Sequence, residues 1–126
     1  MDYKVDKQKV LYPDECFQIN GVCFYAQKKL GRFAKEKQYE DVAVARFTEL
    51  DAPCIRQLVV GRTGNRTDLI LFNKILFEIK AVPYLTDDDY AQAQRYLQIL
   101  DLDLGLLVNF WARSALPHRI LRPKNS

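Results

Sequence analysis

Apolar residues return at steps of three and four through residues 13–30, where Cys16, Ile19, Cys23, Ala26 and Leu30 form one stripe of a helix. Pro13 followed by Asp14 and Glu15 suits a helix start, and Gly31 suits its stop. A second helix is expected over residues 35–50, with Tyr39, Ala43, Phe47 and Leu50 on its buried side. Glu36, three residues before Tyr39, falls on that inward stripe, where a carboxylate needs either a partner or the helix dipole. The pattern then changes. Residues 54–60, 67–72 and 75–82 are rich in β-branched and apolar residues and read as strands, joined by the glycine-containing turn 61–66 and by Asn73-Lys74, so the three form an antiparallel meander. Thr86 with Asp89 three residues on makes an N-cap for a third helix over residues 86–102, whose buried stripe is Tyr90, Ala93, Leu97 and Leu100, with Gln92 and Tyr96 along its edge. Residues 104–110 are continuously apolar, as expected of a strand covered on both faces, and a right-handed β-α-β crossover would place them parallel to the preceding strand. Ile120-Leu121 reads as an edge strand. The order predicts an α/β fold with a mixed central sheet flanked by helices.

Composition narrows the class. A chain of 126 residues, 48% hydrophobic and 28% charged, supports one domain over residues 1–126, with residues 1–12 and 122–126 as tails. No apolar run of about 18 residues and no charged-then-apolar leader is present, so neither a membrane span nor secretion is expected and a cytoplasmic location is. Cys16, Cys23 and Cys54 are odd in number and lack CxxC spacing, which gives no disulfide framework or zinc site and makes them small apolar residues. A net charge of +3 is too mild to require a polyanionic partner. Its distribution is more informative, because Arg113, Arg119, Arg122 and Lys124 follow Trp111 with no acid among them.

The chemistry is concentrated where three charges interrupt apolar strands: Asp68, Glu78 and Lys80. Burial of an isolated charge is costly, so the three need a common reason. Alternation puts Glu78 and Lys80 on one face of their strand and Ile75, Phe77 and Ile79 on the other. A loop centred on Asn73 would set Asp68 opposite Glu78; a strict two-residue Asn73-Lys74 turn would pair Asp68 with Ile79 instead. The first register is expected. Two carboxylates so placed repel one another unless a divalent cation lies between them, and hard oxygen ligands favour magnesium or manganese. An exposed strand face carrying an ion pair would present the same triplet.

Asp68 followed by Glu78-Ile79-Lys80 resembles the D…(D/E)xK signature of the PD-(D/E)xK nuclease superfamily. Leu30-Gly31, Glu36 and Tyr39 resemble the GxxExxY proteins, a bacterial and archaeal branch in which a Leu-Gly-Pro-Gly-Phe-Leu-Glu-x-x-Tyr run precedes the sheet. Here Arg32, Phe33, Ala34 and Lys35 replace Pro, Gly, Phe and Leu, so the naming glycine and its freedom to take positive φ are absent. Gln92-x-x-x-Tyr96 resembles a feature of RecB-type and GxxExxY members. The resemblance implies a restriction-endonuclease-like αβββαβ core and a magnesium-dependent nuclease, with manganese as a substitute, acting on nucleic acid, DNA foremost, without strong sequence specificity. It implies catalytic roles for Asp68, Glu78, Lys80, Gln92 and Tyr96, and a metal set of Glu36, Asp68, Glu78 and the Ile79 carbonyl. Arg62, Arg66, Arg95, Arg113 and Arg119, with Tyr96, are the candidate contacts to the nucleic acid. A chain this small leaves room for a homodimer or a partner protein. Two other readings stay open: a catalytically silent nucleic-acid-binding or protein-interaction module, and a structural domain with an incidental charge cluster.

Overall fold

The computed structural model describes residues 11–56 and 68–123. Its elements are α1 (Pro13–Leu30), α2 (Glu36–Glu49), β1 (Cys54–Arg56), β2 (Leu69–Leu71), β3 (Ile75–Lys80), α3 (Asp87–Leu100), β4 (Leu104–Asn109) and β5 (His118–Leu121). The five strands lie in chain order in one sheet, antiparallel except for the β3–β4 pair, which is parallel. This is the mixed sheet flanked by helices that the pattern predicts. The strand expected over residues 54–60 is described as Cys54–Arg56, and the turn carrying Arg62 and Arg66 lies outside the described residues.

Strand alternation divides the core into two layers. Ile75, Phe77 and Ile79 of β3 pack with α1 and α2 through Ile19, Cys23, Tyr39 and Phe47. Leu76 of β3 faces the other way, toward Ala93, Tyr96 and Leu97 of α3. Glu78 and Lys80 share parity with Leu76 and therefore lie on the α3 face. All six residues of β4 are buried, as a strand covered on both sides requires. Of the cysteines, Cys16 and Cys23 are buried, whereas Cys54 is half-buried at the sheet edge; none is bonded to another.

The hairpin between β2 and β3 decides the site. Leu69 pairs with Phe77, Ile70 with Leu76 and Leu71 with Ile75, so the ladder is centred on residue 73 and Asp68 falls opposite Glu78. Phe72 and Asn73 both take left-handed conformations, with φ of 55° and 59°, and the Lys74 amide donates to the Leu71 carbonyl at 3.1 Å. Asn tolerates that region and Phe does not, at a cost of about 1–2 kcal/mol. The Phe72 amide is held by the Pro53 carbonyl at 2.8 Å, which helps fix the turn.

Between α1 and α2 the chain uses Gly31, at φ 77°, for its unusual turn, while Phe33 stays out of the left-handed region. The glycine missing at position 33 is therefore not needed here. Phe33 instead stands exposed with its ring 5.0 Å from that of Trp111, and Arg32 donates to the Trp111 carbonyl at 2.8 Å.

Candidate active site

Asp68 immediately precedes β2, Glu78 is the fourth residue of β3 and Lys80 its last. The backbone locks the two acids in place: the Ile79 amide donates to Asp68 Oδ2 at 2.6 Å, and the Asp68 amide donates to Glu78 Oε2 at 3.2 Å. Glu78 is 8% exposed. Burial, reinforced by the charge of Asp68, pushes its carboxyl up to about 8. Burial also raises Asp68, opposed by the Ile79 amide and assisted by the charges of Glu40 and Glu36. Such a pair holds a proton between its members at neutral pH.

Lys80 points from the end of β3 toward the start of α3, where its Nζ lies 3.5 Å from Asp89 Oδ1. Asp89 also serves the helix: its Oδ2 accepts the Thr86 amide at 2.9 Å while Thr86 Oγ1 accepts the Asp89 amide at 3.3 Å. The expected cap is thus present, but the same acid reaches the candidate catalytic lysine. The sequence marks Asp89 chiefly as a capping acid of α3; nothing local signals the contact with Lys80.

Glu36 is the first residue of α2 and is exposed, contrary to the inward placement expected from its spacing to Tyr39. At the very start of the helix its side chain extends past the core and accepts the Ala81 amide at 3.2 Å, just beyond Lys80. Tyr39 is fully buried, stacked on Phe110 at 4.1 Å. Its hydroxyl donates to the Gly31 carbonyl and accepts the Ala34 amide at 3.3 Å, tying the loop before α2 to the helix that carries Glu36.

Glu40, one turn after Glu36, is a further acid near the pair that sequence reading misses. It is 5% exposed, and Arg56 of β1 bonds its Oε2 at 2.7 Å while also holding Asp41 at 2.7 Å. The i, i+4 spacing from Glu36 is the signal that could have found it. Asn109, beside Lys80 in the parallel ladder, is buried and bonds both polar backbone groups of Val82: its Nδ2 donates to the carbonyl at 2.8 Å and its Oδ1 accepts the amide at 3.1 Å. The Trp111 amide bonds the same Oδ1 at 3.2 Å. Asn109 thereby fixes the chain leaving β3.

The other expected site residues fall at several places. Tyr96 is buried with Ile70, Leu76 and Leu107 in the α3-side core rather than on a cleft edge, because the helix turns that position onto the sheet. Gln92 is half-buried one turn earlier. Arg119 faces the α1 side, where it donates to Cys16 Sγ and to the Leu11 carbonyl, each at 3.3 Å; strand parity takes it away from the Asp68–Glu78 face. Arg95 is exposed on α3, and Arg113 is exposed in the segment after β4, at the sheet end where Lys80 lies.

The donors gathered here are oxygens, which fits a hard divalent cation, and a buried carboxyl pair is what such a charge would relieve. Among the described residues, however, no three Asp, Glu, His or Cys side chains stand together as a ligand cluster. The fit is therefore to the Asp68–Glu78 pair, with Glu36 occupied at Ala81. No described helix is long and apolar enough to cross a membrane.

No curated protein and no solved structure gave a match. The model of the PD-(D/E)XK nuclease superfamily, whose members generally use divalent metals, matches residues 13–120. That stretch includes both acids of the hairpin, the lysine two residues on and the helix that covers them, and with it this chain belongs to the PD-(D/E)XK nuclease superfamily.

Proposed function

We propose that this protein is a metal-dependent nuclease that hydrolyses phosphodiester bonds, taking DNA as its substrate without strong sequence specificity. The observation that carries the reading is the buried Asp68–Glu78 pair, clamped by two backbone amides with Lys80 two residues further along the same face. Magnesium is the expected cation and manganese its substitute, as oxygen donors favour. Asp68, Glu78 and the Ile79 carbonyl would hold it, with Glu36 reached through water. When bound, the cation would keep both carboxyls ionised and supply Lewis-acid stabilisation to the reacting phosphate.

The chain's own groups account for the remaining requirements. Lys80, steadied by Asp89, places an ammonium where it can orient a water or stabilise a phosphate oxygen. Arg113 offers a contact to the substrate backbone from the same end of the sheet. Gln92 acts in support of the site from the helix that covers it. Tyr39 and Gly31, bonded to each other from either side of Glu36, support placement in the GxxExxY branch. A cytoplasmic location suits this chemistry.

Labelled single- and double-stranded DNA tests the proposal, incubated with magnesium, manganese or EDTA and with wild type or Lys80→Ala. Metal-dependent cutting that disappears in the folded variant supports the assignment. Equal cutting by both preparations, or none by either, overturns it; binding of DNA without cutting would make the protein a silent member of its superfamily.

A further inference from the structure

Helix α1 is apolar on two sides. Its inner side, Cys16, Ile19, Val22, Cys23 and Ala26, is buried against the sheet and α2. Its outer side exposes Asp14, Phe17, Gly21, Phe24 and Lys28, at alternating steps of three and four that draw one straight seam along the helix. Phe17 is 81% exposed, and Phe24 and Tyr25 are 44% and 40% exposed. Exposed aromatic residues gathered on one helix face mark an interaction surface.

Gly21 sits in the middle of that seam. A glycine inside a helix is disfavoured by about 1 kcal/mol relative to alanine. A side chain there would meet nothing within 4 Å among the described residues, so their packing does not require the glycine. It leaves a notch in the wall of a groove of about 550 Å³ between α1 and α2, lined also by Phe17, Tyr25, Arg46 and Leu50.

The charges along the helix choose the occupant. Acids stand in the first turn of α1, Asp14 and Glu15, and bases in the last, Lys28 and Lys29. Glu15 is engaged by Lys74 at 2.7 Å, which leaves Asp14 and Lys28 at the two ends of the exposed seam. An antiparallel copy of the helix about a two-fold axis at Gly21 sets Asp14 beside the other copy's Lys28, and Phe17 beside its Phe24 and Tyr25. The two glycines then meet at the axis, where absent side chains let the backbones approach. A parallel copy would instead bring like charges together.

We infer that α1 is a homodimer interface, with a second copy of this chain packed antiparallel along the Phe17–Gly21–Phe24 seam. The interface is isologous, as two-fold assemblies require. Because α1 covers the sheet face opposite α3, the dimer interface lies away from the Asp68–Glu78 side of each copy. The inference is independent of the proposed nuclease activity.

Sedimentation equilibrium on the full chain tests it. Wild type is expected at twice its 14.7 kDa mass. Phe17→Ser, which changes a side chain already in solvent, is expected to weaken association about a hundredfold, since each dimer loses two aromatic anchors. Asp14→Lys and Lys28→Asp should each weaken it by about tenfold through their two symmetric pairs, and the double exchange should restore it. Gly21→Cys should form a covalent dimer on mild oxidation that wild type does not form. A monomeric wild type overturns the inference, as does a dimer indifferent to Phe17→Ser and to the charge exchanges. Circular dichroism confirms that each variant remains folded.

Discussion

Replacing Glu78 by Gln removes a charge that the fold opposes while keeping the side chain's shape. The carboxyl is raised from an ordinary 4.5 to about 8 because it is buried beside Asp68. A group that holds its proton more tightly when folded stabilises the protein fully below its unfolded value, and that stability is lost as pH rises toward the folded value. At about 1.4 kcal/mol per pH unit, the window from 4.5 to about 8 has a ceiling of about 5 kcal/mol. Sharing the proton with Asp68 keeps what one substitution recovers below that ceiling. Urea denaturation in EDTA should therefore show wild type less stable at pH 8 than at pH 5, with Glu78→Gln the more stable protein at pH 8. Magnesium should restore wild type and leave the variant unmoved, because the cation stabilises the ionised pair. Activity should change in the opposite sense, with the more stable variant failing to cut. A wild type equally stable at both pH values in EDTA, together with a destabilised variant, would refute the account of the pair.

Asp89→Asn should retain the Thr86 cap, since the amide oxygen still accepts, yet lose the charge beside Lys80; a roughly tenfold or greater fall in turnover at unchanged melting temperature is expected. Asp89→Ala should in addition lose about 1 kcal/mol from the cap, read by denaturation. Asn109→Ala removes three hydrogen bonds that hold Val82 and Trp111, and should cost about 2–4 kcal/mol together with activity, since the segment after Lys80 is released. Tyr39→Phe keeps the stack on Phe110 but leaves the Gly31 carbonyl and Ala34 amide without their hydroxyl, a loss of about 1–2 kcal/mol measured by denaturant titration.

Helix α1, the α3 cap, the buried parallel strand and the split of β3 into two faces were legible in the sequence by itself. These follow from periodicity, capping and strand alternation, which act over a few residues and are written locally. The facing of Asp68 and Glu78 was one of two registers the sequence allowed, and the left-handed Phe72 and Asn73 of the folded hairpin decided it. Tertiary structure decided the rest. Glu40 meets Arg56 only once α2 lies across β1, Lys80 meets Asp89 only once α3 folds back over β3, and Asn109 reaches Val82 only across the parallel ladder. Helix spacing put Tyr96 at an edge and Glu36 inward, but the seating of α3 on the sheet buried the first, and the position of Glu36 at the mouth of α2 left the second exposed. Spacing along a chain states which side chains share a face; which face meets which neighbour depends on how separate elements pack, and no short stretch of sequence contains that information.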